Sequence, residues 1–178
     1  MGFHIGIDLA SAHVGVAVLD EAGNLDHISR KSTSPANFKN RWDRYAVVTG
    51  HALNEVVKRK DSIINICIEG YGGAHKNSLI PGVECGTLMR VMLIKYGLLE
   101  KIHEIPPTSL KKFVTGSGNA GKEHIIAYLF KNYGIMHSDN DQADAYGLAQ
   151  MARKISWGPE LRKNLFSYER DTLKALKL

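Results

Sequence analysis

Cysteine is scarce in this chain. Cys67 and Cys85 are the only two, they lie in apolar surroundings, and their spacing is not that of a zinc site. A disulfide framework and a structural zinc are therefore excluded, and reduced core thiols in a cytoplasmic protein are expected. Long hydrophobic runs are missing too: charges break every apolar stretch short of the roughly 20 residues a membrane span needs, and no basic segment followed by an apolar one opens the chain. Gly6 stands where a myristoylation signal requires Ser or Thr, so no membrane partner is expected. Internal repeats, low-complexity tracts and linkers are also absent. Acidic residues are the minority, 18 against 23 Lys and Arg, and the net charge of +5 favours an acidic partner, of which nucleic acid is the common case.

What remains is a chain of 178 residues, 44% hydrophobic and 23% charged, long enough for one well-buried domain. Residues 3–8 and 14–19 read as β-rich apolar runs joined by a hairpin at 9–13, and Gly23-Asn24 turns the chain into a third strand at 25–32. After Ser34-Pro35 the period becomes helical, with Phe38, Trp42, Tyr45, Thr49, Leu53 and Val56 on one face. A strand at 62–69, an apolar helix at 79–96 and a short strand at 102–105 follow. Pro106-Pro107 stop that strand, a short basic segment comes next, and helical spacing resumes at 122–133 and again at 139–155. Pro159 opens a charged tail, so the expected organisation is a domain at 1–156 with residues 157–178 as a helical tail of the same domain. The order βββαβαβα predicts a mixed sheet flanked by helices.

Two acids fall where a strand is buried. Asp8 closes the first strand in IGIDLASAHVGVAVLD and Glu69 closes the fourth in IINICIEG. Neither has a neighbouring cation in sequence, and an unpaired buried ion is costly. Alone, either acid reads as readily in a structural role, closing its strand at the solvent edge or pairing with a distant Lys or Arg, as in a functional one. In SDNDQADAYGLAQMA, Asp141 and Asp144 share a helix face with Leu148, Ala152 and Ile155, the face that packs inward. Capping by Ser138, with Asp141 as its reciprocal partner, accounts for Asp139 and partly for Asp141. It gives no reason for Asp144 to face the core, whereas a divalent cation held between helix and sheet does. Four carboxylates without His or Cys favour Mg²⁺ or Mn²⁺ over zinc. A pair of such ions about 4 Å apart suits phosphodiester hydrolysis. Lys111, Lys112 and Lys122 flank FVTGSGNAGK, whose glycines permit close approach of a phosphate backbone. That turn lacks the P-loop spacing, so no nucleotide cofactor is expected.

Taken together, GIDLASAHVGVAVLD, ICIEGY, PPTSLKKFVTGSGNAGK and DQADAYGLA resemble the RuvC-type Holliday junction resolvases of the RNase H-like (retroviral integrase) superfamily, with divergent phage or viral members closest. The likeness spans most of residues 3–155 in order. It implies an α/β fold, an RNase H-like mixed five-stranded sheet with the first three strands antiparallel and helices on both faces. It also implies that Asp8, Glu69, Asp141 and Asp144 are the metal-binding carboxylates. Asp8 would bridge two Mg²⁺ ions, Glu69 would hold one, and Asp141 and Asp144 the other. Lys111 and Lys122 reproduce the family's two lysines eleven residues apart, so Lys122 counts among the catalytic group and Lys111, Lys112 and Lys122 among the DNA contacts. A homodimer cutting opposing strands of a four-way junction is implied as well. Two positions depart from the pattern: Ala10 replaces a glycine, and Gly72 stands where the family carries an aromatic wedge, leaving Tyr71 as its substitute. His75, Lys76 and Arg90 are further candidates along the DNA path near the dimer contact, although a solvated surface role is the default reading for each. A broader branched-DNA or RNA·DNA-hybrid nuclease and a non-catalytic DNA-binding module are the competing readings. An actin-like ATPase would need a second lobe that this length leaves no room for.

Overall fold

A computed structural model describes residues 1–71, 76–136 and 139–178, with the side chains of 76–78 left aside. Five strands are present: β1 (Phe3–Leu9), β2 (His13–Asp20), β3 (Leu25–Ser32), β4 (Ile63–Glu69) and β5 (Ile102–Ile105). They form one sheet in the order β3-β2-β1-β4-β5. The first three run antiparallel, whereas β4 and β5 add in parallel beside β1. Short turns suffice for the antiparallel meander, and the parallel additions require helical crossovers. At the β2–β3 turn, the Asp20 carboxylate accepts hydrogen bonds from the backbone of Gly23 and Asn24 at 2.7 and 2.8 Å, and Gly23 supplies the φ of +95° that the reversal needs.

The crossovers are α1 (Arg41–Val57) and α2 (Lys76–Lys95). Alternation along the strands sends Ile5, Ile7, Val16, Val18, Ile66 and Ile68 against these two helices, which answer with Tyr45, Val48, Ala52, Cys85, Met89 and Leu93. On the opposite face lies α5 (Asn140–Ile155), supported by α3 (Pro107–Thr115), α4 (Lys122–Tyr133) and α7 (Ser167–Ala175); a single turn, α6 (Pro159–Arg162), connects α5 to α7. Leu110, Phe113, Leu129, Tyr146, Leu148, Met151 and Leu173 form this second core. Each such side chain removed from water contributes about 1.5–3 kcal/mol before entropy is counted, so both faces of the sheet are load-sharing layers. Cys67 and Cys85 are buried free thiols. Among the described residues no helix is long and apolar enough to cross a membrane.

Three local expectations need correction. Asn40 caps α1 by accepting from the backbone of Trp42 and Asp43, so the helix begins only at Arg41 and its first turn holds no buried residue. Trp42 is accordingly 53% exposed, and the buried track runs instead through Tyr45, Val48, Thr49, Ala52 and Val56. The basic segment after Pro106 is a helix, α3: Pro107 occupies a first-turn position where a missing N–H costs nothing, and Gly116, at φ +84°, ends it. At α5 the cap is Asp139, whose carboxylate accepts from the Gln142 N–H at 2.9 Å; Ser138 lies outside the described residues.

Candidate active site

Asp8 and Glu69 meet because their strands are neighbours. Ile7 stands beside Ile68 in the parallel β1–β4 register, so the next residue of each strand presents its carboxyl on the same face, the one covered by α5. Asp8 is 6% exposed, and its carboxyl hydrogen-bonds that of Glu69. Burial pushes the Asp8 acid well above the usual carboxylate range, and the charges of Glu69 and Asp144 push it further. Glu69 is raised by burial as well, with the hydrogen bond from Asp8 and the charges of Lys122 and Lys111 pulling the other way. The contact between the two groups thus acts in opposite directions, raising Asp8 and lowering Glu69.

The second pair of acids arrives from above through glycine. A Cβ built on Gly6 would lie 2.0 Å from the Ala145 carbonyl oxygen, and one on Gly15 would lie 2.1 Å from that of Asp141. With no side chain at either position, the first turns of α5 rest on the backbone of β1 and β2, and Asp141 and Asp144 come down over Asp8. Asp144 is pushed up to about 6, by burial first and by Glu69 second, while Lys122 offsets part of the rise. The site thus draws acids from three remote parts of the chain. Lys111, half-buried on α3, and Lys122, exposed at the start of α4, both reach Glu69 and Asp144 electrostatically. Lys112 faces solvent on the next position of α3.

Two side chains that sequence reasoning missed reach Asp141. Arg30 of β3 donates from Nε to Oδ2 at 2.5 Å, and His13 Nδ1 lies 3.2 Å from the same oxygen without hydrogen-bond alignment. Neither residue has a local sequence signal, since Arg30 and Asp141 are 111 positions apart. Among the described residues, no group of three or more His, Cys, Asp or Glu side chains stands in a ready ion cage. Asp8 is engaged by Glu69, and Asp141 by Arg30.

Beside Glu69 opens a cavity of about 210 Å³ bordered by Leu9, Ser11, Tyr71, Leu79 and Arg90. Tyr71 is 43% exposed, its ring lies 4.6 Å from the Arg90 guanidinium, and its hydroxyl is 3.2 Å from that of Thr87. Arg90 is not the solvated cation that the sequence reading pictures. Its guanidinium pairs with Glu104 and donates to the Gly86 and Glu69 carbonyls, so it braces the end of β4. His75 lies outside the described residues, and the Lys76 side chain is not described.

The sheet order, two neighbouring strand acids and two acids on the covering helix define a protein of the RNase H-like fold. No protein-family model matches the chain. The crossover junction endodeoxyribonuclease RuvC of Rickettsia prowazekii is 29% identical over 150 residues, 82% of this chain and 92% of that protein. Two solved structures from Thermus thermophilus share the fold. RuvC in complex with a Holliday junction substrate has a TM-score of 0.68 at 20% identity, covering 87% of this chain and 93% of its own. A further RuvC structure has a TM-score of 0.65 at 19% identity, covering 86% and 95%. The chain is a homologue of the RuvC crossover junction endodeoxyribonucleases.

Proposed function

We propose that this protein is a structure-specific endodeoxyribonuclease that resolves four-way DNA junctions by metal-dependent phosphodiester hydrolysis, as a cytoplasmic homodimer with two sites. The reading is supported by the mutual electrostatic influence of Asp8, Glu69, Asp141 and Asp144, with Lys111 and Lys122 acting on the same acids, in a chain homologous to RuvC.

The donor set fits a hard divalent cation. It is all oxygen, and Asp8 and Asp144 are raised by burial first and by neighbouring carboxylates second, both of which a cation would offset. Asp8, Glu69, Asp141 and Asp144 would hold Mg²⁺, with Mn²⁺ as substitute and two ions per site; when bound, the metal makes a water nucleophilic at neutral pH and neutralises charge at the phosphate. The chain's own contribution is placement. Lys111 and Lys122 stand on two helices either side of the glycine-rich turn, positioned to neutralise the oxygens of a strand laid along it. Lys122 is the cation suited to the negative charge that grows on the phosphoryl group. Lys112 extends the same surface toward flanking phosphates, and Tyr71 borders the cavity next to Glu69, where an unstacked base can rest.

The homodimer reading rests on α2. Ile80, Val83, Val91 and Ile94 are 63, 37, 45 and 47% exposed, and with Thr87 between them they repeat at helical spacing along one face. A continuous apolar stripe of this kind is suited to a second copy.

The test is Mg²⁺-dependent cutting of a mobile four-way junction beside a duplex, a flap and an RNA·DNA hybrid. Paired nicks across the junction alone are expected. Equal cutting of the other substrates would overturn junction resolution, and no cutting of any would overturn hydrolysis.

A further inference from the structure

We infer that Arg30 is a positioning residue for Asp141, fixing which oxygen of that carboxylate a bound divalent ion meets. The inference rests on the metal reading above and goes beyond it, because Arg30 belongs to none of the segments that carry the acids. Arg30 sits on the edge strand β3, directly opposite Gly15 of β2, which is the position that admits the α5 backbone. From there its Nε donates to Asp141 Oδ2 at 2.5 Å. His13 Nδ1 addresses that same oxygen from 3.2 Å, and Arg30 Nε lies 3.8 Å from the capping oxygen of Asp139. Both side chains address Oδ2, so Oδ1 is the oxygen left to a bound cation.

A carboxylate on a short side chain turns easily about its last bond and can offer one oxygen or two. Mg²⁺ demands near-octahedral geometry and is best served by single oxygens, and ligands whose other atom is hydrogen-bonded are held ready for it. Asp141 is 7% exposed, so no bulk water is at hand to do this in place of Arg30. The Arg30 side chain is itself 40% exposed. Water and salt therefore screen its repulsion of an ion on the far side of the carboxylate, and orientation outweighs the added positive charge.

The experiment is a titration of the full-length protein with Mn²⁺, free ion being read by electron paramagnetic resonance, for the wild type, Arg30→Gln, Arg30→Lys and Asp144→Asn. Far-UV circular dichroism and melting are followed in parallel. Binding in the wild type, weakening in Asp144→Asn and a ten- to hundredfold loss in Arg30→Gln are expected. Arg30→Lys, which keeps the charge without the planar guanidinium, falls between. A purely structural ion pair would lower the melting temperature of Arg30→Gln and leave Mn²⁺ affinity in place, and that result overturns the inference, as would tighter binding. Should Arg30→Gln fail to fold, an Arg30→Lys affinity equal to wild type overturns it. A wild type that binds no Mn²⁺ overturns the metal reading as well.

Discussion

Gly15 and Asp141 touch through backbone alone: a methyl group on the strand residue would lie 2.1 Å from the helix carbonyl. Gly15→Ala therefore has to lift the first turn of α5, and with it both of its acids. A loss of about 1–3 kcal/mol is expected from overpacking, together with junction cleavage falling more than the stability change explains. Gly50→Ala is the control, since a Cβ there meets nothing within 4 Å and the position lies inside α1; it should be neutral or stabilising by about 0.4–1 kcal/mol. Urea melts and single-turnover cleavage of both variants check the pair.

Asp8→Asn should separate stability from activity in opposite directions. The folded acid is raised by burial and by Glu69 and Asp144, so its ionised form costs stability, and the cost grows as pH rises through that raised value. The neutral amide removes the charge and can still donate to Glu69. At pH 7 without metal the variant is expected to melt higher than wild type, with cleavage abolished and junction binding retained. Calorimetry with chelator present and a gel-shift assay give the two readings. An unchanged or lower melting temperature would contradict the electrostatic account.

The three lysines should divide by position. Lys111 and Lys122 act on Glu69 and Asp144, so Lys111→Ala and Lys122→Ala are expected to slow single-turnover cleavage by about 10²–10³-fold, the scale of losing one stabilising charge contact. Lys112→Ala should leave that rate near wild type and instead lower the slope of log affinity against log salt by about one. Equal rate losses in all three would remove the distinction.

Glu55 gives an acid-stability prediction. Burial alone would raise its carboxyl, yet hydrogen bonds from Lys58 at 2.6 Å and Arg59 at 3.0 Å hold it at about 2. A depressed acid contributes stability that is complete above its unfolded value near 4.5 and is lost as pH falls toward 2. Wild type should therefore lose up to about 3 kcal/mol more than Glu55→Gln across that window. Parallel melting curves of the two from pH 7 to pH 2 that fail to converge would overturn the assignment.

Much of this arrangement is written locally in the chain. The β-rich runs at 3–8 and 14–19, the turn at Gly23-Asn24 and the inward track of Asp144 and Leu148 each report a property of a few neighbouring residues, and each element lies where those residues place it. The β1–β4 register that sets Asp8 beside Glu69 is different, because it depends on a parallel pairing across some sixty positions that no window records. Helix α3 was legible in principle: Leu110, Phe113 and Val114 carry the apolar period, masked by two prolines that open the helix rather than forbid it. Trp42 misled because a large apolar side chain at the right spacing can still be left uncovered in the first turn of a helix. The Arg30–Asp141 contact has no sequence signature at all, since it exists only once the glycine at position 15 lets the helix down onto the strands.

The two rims of the sheet carry a consequence for how copies of the molecule meet. On one side β3 exposes Lys31 and ties Asp26 to Arg59 at 2.6 Å; on the other, β5 is only four residues long and runs into two prolines. Charge, brevity and proline are the devices that discourage edge-to-edge strand addition. Self-association by sheet extension, the usual road to aggregation in exposed β-structure, is thereby disfavoured, and encounters between copies are directed to the helical faces.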